Sequence, residues 1–173
     1  MLNATQKGLP ARQFWTFSIT FYEKPGVQAQ MLRWQDENHA NVNLALLCIW
    51  AGSVGRKLGA SDIRRAVSAV SGWNTAVTRP LRQLRRRLKA EWQPLAIDSE
   101  PTRQAVLSAE LEAEKAEQAL LLKALAPWSI AAGPDAAALP DAPALIEANL
   151  AAYLGSSATA EPAFNIAAIC SGE

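Results

Sequence analysis

Apolar side chains recur at helical spacing along most of the chain. Phe14, Phe17, Ser18 and Phe21 stand at i, i+3, i+4 and i+7, an aromatic face on a helix opened by Pro10. Trp15 and Tyr22 widen that face. "EKPGV" then breaks the pattern, because Pro25 disfavours the α region at Lys24 and Gly26 permits a tight turn. Val27, Met31 and Trp34 give a second, short helix, and "QDENHANVN" reads as a loop and a helix start that Asn41 or Asn43 can cap. The third helix, from about Val42 to Leu58, is apolar nearly all round and is expected at the centre. Gly59 is its expected stop, with Ser61 capping a fourth helix that carries Ile63, Ala66, Val67 and Val70 and ends near Gly72.

A fifth helix runs to about Trp92 with Val77, Leu81, Leu84, Leu88 and Trp92 on one stripe, and Pro80 sits in its first turn or kinks it. After the linker "QPLAIDSEP", a sixth helix from about Pro101 to Leu125 places Val106, Ala109, Ala113, Ala116 and Leu120 on a small-residue seam suited to antiparallel packing. From Pro127 the composition turns to Ala and Pro. One short helix is expected there at 143–154, capped by Asp141 and stopped by Gly155, within an otherwise mobile tail. No run shows period-two alternation. The expectation is an all-α fold: one compact bundle of about six helices over residues 1–126, with an acidic, Ala/Pro-rich tail over 127–173.

Half the residues are hydrophobic and 19% are charged, a globular balance, and the net charge of +1 gives no general pull toward nucleic acid or membrane. The longest apolar run, Leu44 to Ala51, is far shorter than the ~20 residues of a membrane span. "MLNATQKGLPARQFW" lacks a basic stretch followed by an apolar core, so no signal peptide is expected. Cys48 and Cys170 make neither a disulfide framework nor a metal motif, which fits a cytoplasmic protein.

Two stretches carry candidate chemistry. "RPLRQLRRRLK" holds six positive charges and no acid, and Arg79, Arg82, Arg86 and Lys89 fall opposite Leu81, Leu84 and Leu88. Such a stripe suits a macromolecular partner or a phosphate backbone. The plainer alternative is a solvated face, partly neutralised by Glu110, Glu114 and Glu117 on the next helix, which line up at i, i+4 and i+7. The second stretch sets Trp34, Gln35, Asp36, His39, Asn41 and Asn43 near the aromatic face of Trp15, the usual anatomy of a ligand pocket. His39 is the only histidine, so a conventional zinc site lacks ligands. Caps, turns and amide hydrogen bonds account for the same residues without catalysis. "GSVGRKLG" lacks the order of a phosphate loop and reads as helix packing.

As a set, "FWTFSITFY", "PGV", "MLRWQD", "NVNLALLCIW" and "WNTAVTRPLRQLRRRLK" resemble an uncharacterised family of small proteobacterial helical proteins. That family's blocks run FW-x-FS, PGV, L-x-LQD, DVNLLL-F-x-W and W-x-x-x-V-x-PLR-x-LR. The resemblance covers about residues 13 to 92 well and the tail hardly at all. It implies a bacterial cytoplasmic domain of unknown function and brings no reaction or catalytic residue. Asn41 departs from the pattern, which has Asp there; a capping role survives the change, whereas an essential carboxylate does not.

These readings converge on a non-enzymatic interaction module without cofactor or metal. Its expected partner is a macromolecule, protein ahead of nucleic acid, bound through Arg79, Arg82, Arg86 and Lys89. The alternatives are a small-molecule or enzymatic site between the first helix and Gln35–Asn43, and direct RNA or DNA binding through Arg79–Lys89.

Overall fold

The computed structural model describes residues 4–92, 98–126 and 142–155, and these are helices joined by short turns. Helix α1 (Ala4–Tyr22) starts ahead of Pro10, which lies inside it. Gly26, at φ 81°, takes the left-handed turn that a side chain resists, and α2 (Val27–Glu37) follows. The end of α2 turns on His39, at φ 54°, over which the Ala40 N–H reaches back to the Trp34 carbonyl at 3.1 Å. Histidine is among the few non-glycine types that adopt this conformation readily.

Helix α3 (Val42–Ser53) is the axis of the fold: every residue from Asn43 to Ser53 is buried. Its apolar circumference has no solvent face because neighbours surround it: α1 and α2, then α6 (Glu100–Ala124) and α7 (Ala142–Leu154). Phe14 of α1 stacks on Trp50 at 4.9 Å, and Met31, Leu47, Ile49 and Leu121 are sealed from solvent. Full burial of one such side chain contributes about 1.5–3 kcal/mol.

Helix α3 ends five residues earlier than the sequence suggested. Gly55, at φ 78°, lets the Arg56 N–H return to the Ala51 carbonyl at 2.7 Å, so Gly55 rather than Gly59 makes the stop. Gly59 precedes the next helix, and the Asp62 carboxylate accepts its N–H at 3.0 Å, which leaves Ser61 inside the helix instead of capping it.

Helix α4 (Ala60–Trp73) does not end at Gly72. It runs through a π-helical turn, Asn74–Thr78, into α5 (Arg79–Arg87) and a second π turn, Leu88–Trp92. The wide first turn directly precedes Pro80, whose ring would crowd the carbonyl four residues back in a regular helix. It also sets register. Val70 and Arg82 are twelve residues apart, a drift of about 120° in a straight α-helix, and the one extra residue taken up by the π turn cuts this to about 20°. Val70, Asn74, Thr78 and Arg82 thereby share one side, toward α6.

Helix α6 buries Glu110, Ala113, Glu117, Gln118, Leu121 and Leu122, so its inner stripe is half polar; Ala109 of the expected seam is exposed. Helix α7 lies within the stretch read as an appended tail, yet Ile146, Asn149 and Leu150 are fully buried against α3. A Cβ on Gly52 would lie 2.6 Å from the Ile146 backbone nitrogen, so the helices touch there backbone to backbone. The Asn149 amide accepts from Leu58 N–H at 2.7 Å and donates to the Cys48 and Arg56 carbonyls at 3.1 and 2.9 Å, holding the 54–59 turn. The remainder of the 127–173 tail, the Asp141 cap and Cys170 included, lies outside the described residues.

Candidate ligand-binding cleft

The least expected group in the interior is Glu117, a carboxylate with no exposed surface. It is held by neutral donors alone: Asn41 and Asn74 on one oxygen, Asn43 and Thr78 on the other, with Asn43 at 3.3 Å, Asn74 at 3.2 Å and Thr78 at 3.0 Å. Two donors come from the start of α3, whose N-terminal dipole favours negative charge. Two come from the π turn. A buried carboxylate is tolerable only with its lone pairs occupied, and these four donors do that.

The donors also fix one another. Asn41 is the N-cap of α3, its Oδ1 accepting the Leu44 N–H at 3.2 Å, so its amide nitrogen faces Glu117. The carboxylate only accepts, so Asn43 must present its nitrogen to Glu117 and its oxygen outward. That oxygen takes the Gln118 Nε2 at 3.0 Å, and the same nitrogen donates to Ser18 Oγ at 3.0 Å. The amide orientation of Gln118 follows, and its Oε1 is left buried without a partner among the described residues.

One turn toward the N-terminus of α6 the chemistry becomes ionic. Arg82 donates to Glu110 at 3.0 Å, to Glu114 at 2.6 Å and to the Gln35 side-chain oxygen; Arg85 donates to Glu110 at 2.5 Å. Burial alone would raise the Glu110 pKa, but hydrogen bonds from Arg85 and Arg82 outweigh it and hold the carboxyl below its usual range. Glu114 goes the other way: burial raises it, Glu110 and Glu117 add to this, and Arg82 offsets them only in part. Tyr22 is raised by burial and by Glu114. Two carboxylates on successive turns of one helix are pushed apart in acidity, the pattern that enzymes and binding sites use to set protonation.

These groups line a half-open cleft of about 410 Å³, the size of a small-ligand site. Trp15, Ile19, Leu32, Leu46, Leu107 and Leu111 supply its apolar walls. Ser18, Asn43, Gln118 and Glu114 supply polar lining, and Arg82, Arg85 and Arg86 stand on the α5 side. Ile19 and Leu111 are 45% and 41% exposed, so the apolar surface continues to the cleft's mouth.

A family model matches residues 13–121, every residue of the cleft among them. The chain belongs to the DUF2390 family of proteins of unknown function. No curated protein and no solved structure matches it.

In this DUF2390 chain the two candidate sets of residues partly merge. Trp15, Gln35 and Asn43 line the cleft together with Arg82 and Arg86. Trp34 does not; it is 3% exposed and belongs to the core. Asp36 is exposed, 3.6 Å from Arg86, and His39 is an exposed turn residue. Asn41 caps α3 and ties to Glu117 beneath the cleft.

The basic face differs from expectation. Arg82 and Arg85 turn inward beside Leu81 and Leu88, while Leu84 is 37% exposed. The leucines did not decide which side faces α6, because the inner stripe of α6 is acidic and draws the arginines to it. Arg79, Arg86 and Lys89 remain exposed. Sequence reasoning missed Glu114, Gln118 and Ser18 as site residues. The available signal was spacing: Glu117 stands four residues from both Ala113 and Leu121, on their buried face.

Proposed function

We propose that this protein is a small-molecule-binding domain whose site is the cleft between α1, α2, α5 and α6. The observation that carries the reading is an apolar-walled cleft whose lining includes Gln118, a 3%-exposed side chain with one unpartnered acceptor. Natural interiors leave few such atoms, and a ligand is one reason to keep one. The arginines nearest the cleft are engaged by carboxylates, and the aromatic and aliphatic walls suit a mostly apolar guest. No chemical step is part of this reading. A cytoplasmic location accords with it, supported by Cys48, a buried free thiol whose pKa burial pushes up to about 12.

A ligand-observed NMR screen of small apolar and amphiphilic compounds tests the proposal, with Leu107→Trp as the variant that fills the cleft. Binders that lose their signal with folded Leu107→Trp support it. A screen without binders, or binders indifferent to that variant, would overturn it.

Exposure of Arg79, Arg86 and Lys89 favours a second reading, a macromolecular partner at the outer face of α5. With Arg82 engaged inside, that surface is smaller than the four-residue stripe. Arg79→Glu with Lys89→Glu should abolish partner capture by a folded protein, and RNA or DNA as partner requires affinity that falls steeply between about 50 and 200 mM salt.

A further inference from the structure

The charges that line the cleft balance, Glu23, Glu110 and Glu114 against Arg82, Arg85 and Arg86, and Glu117, buried beneath it, adds one carboxylate that no cation reaches among the described residues. Along α6, Glu110, Glu114 and Glu117 turn inward; Arg82 reaches Glu110 and Glu114, Arg85 reaches Glu110, and Glu117 is left to neutral donors. The free hydrogen-bonding capacity has the same sign. Glu114 uses Oε1 for Arg82, and no partner of its Oε2 appears among the described residues. Gln118, one turn further along α6, keeps Oε1 without a donor. The interior guanidinium donors, by contrast, are engaged: three nitrogens of Arg82 and two of Arg85 already serve Glu110, Glu114 and Gln35, while Arg86 stands exposed at the rim, 3.6 Å from Asp36. An anionic guest beside Arg82 or Arg85 would have to displace a carboxylate. A cationic donor would complete the set.

We propose that the cleft binds a small primary amine as its ammonium ion, the nitrogen between Glu114 and Gln118 and an apolar or aromatic body along Trp15, Ile19 and Leu107. This deepens the small-molecule reading and rests on it. Three features select the class. The nitrogen must donate, since the amide chain from Asn41 through Glu117 and Asn43 leaves Gln118 with an acceptor to satisfy. It gains from being charged, since Glu114 shares one guanidinium, Arg82, where its neighbour Glu110 has two. The body must be apolar, since Trp15, Ile19, Leu32, Leu46 and Leu107 wall the cleft, and the ring face of Tyr22 attracts a cation.

The test is a matched series on the full chain, measured by ligand-observed NMR titration at neutral pH: 2-phenylethylamine, 2-phenylethanol and 3-phenylpropanoate. The amine is expected to bind at least tenfold tighter than the alcohol, with the acid weakest. Glu114→Gln should remove the tenfold advantage, and Leu107→Trp should remove binding altogether. Equal binding of alcohol and amine, preference for the acid, or an amine affinity unchanged in Glu114→Gln would each overturn the amine class. If those binders still vanish with Leu107→Trp, the cleft survives as a ligand site. Failure of all three probes overturns the amine class, and the wider screen then decides the cleft on its own. The rank order in the wild type stands even if Glu114→Gln fails to fold.

Discussion

Replacing Glu117 with leucine removes the one group that four donors share. The apolar side chain fits the volume roughly, but Asn43 and Thr78 are buried and cannot turn to water; Asn41 and Asn74 are half-buried. Each buried group stranded in this way costs about 1–3 kcal/mol. Two full penalties and two partial ones put the loss at about 3–6 kcal/mol. At roughly 2–4 °C per kcal/mol for a chain of this size, the thermal midpoint should fall by roughly 6–24 °C. Glu117→Gln should cost less, about 1–3 kcal/mol, because its one remaining oxygen still accepts from two donors. Its amide nitrogen, however, meets Asn43 Nδ2, so Asn43 must turn over and Gln118 lose its partner. Urea and thermal unfolding followed by circular dichroism would give both values. Wholly apolar replacements of buried charge networks can be neutral or stabilising. The single change to leucine strands the donors instead. A leucine variant as stable as wild type would refute the claim that Glu117 organises this interior.

Gly52→Ala should destabilise by about 1–3 kcal/mol through overpacking, because the added methyl meets the Ile146 backbone and pushes α7 away; hydrogen exchange of α7 amides would accelerate. Asn149→Ala should cost about 1–3 kcal/mol, since the Leu58 N–H is left buried without its acceptor and the Cys48 carbonyl loses its second donor, and loss of α7 protection would again report it. Glu114, raised in the fold, contributes stability fully below its unfolded value of about 4.3 and loses it as pH rises through the folded value. Glu114→Gln, which resembles the protonated form, should therefore match wild type in acid and surpass it at pH 7 in urea unfolding. Glu110 runs oppositely: its lowered value contributes stability above about pH 4.3 that is lost as pH falls through the folded value, so Glu110→Gln should lag wild type at pH 7 and converge in acid. His39→Gly should stay within about 1 kcal/mol of wild type, because glycine takes the left-handed turn freely and nothing else here uses the imidazole.

The helices themselves were legible, and so was the central one, because periodicity and an unbroken apolar run are local properties. Their ends were less so. Gly55, Gly59 and Ser61 are equally good punctuation on paper, and only the return of Arg56 N–H to Ala51 decides among them. The place of α7 was hidden for a similar reason: the Ala-rich stretch gives no sign that Gly52, ninety-four residues before Ile146, leaves it a backbone-close seat. In the site, Trp15, Gln35 and Asn43 were picked out by their neighbours in sequence. Glu114 and Gln118 were not, because a glutamate-rich helix reads as a solvated face until the arginines opposite are seen to point inward.

That inversion explains why there is a cleft at all. A helix burying Glu110, Glu117 and Gln118 cannot close on an apolar neighbour, since each polar atom must meet a donor or water. Arg82 and Arg85 reach Glu110 and Glu114 from α5, and Asn41, Asn43, Asn74 and Thr78 reach Glu117 from the start of α3 and the π turn. Long charged side chains meet α6 on one side and short amides on the other. Beside the long ones, the apolar faces of Trp15, Ile19, Leu32 and Leu107 border open space. The polar interior is therefore not a defect that the core tolerates. It fixes the register of α4 and α5 through the π turn, and it keeps open the space that a ligand with one donating end and one apolar end would fill.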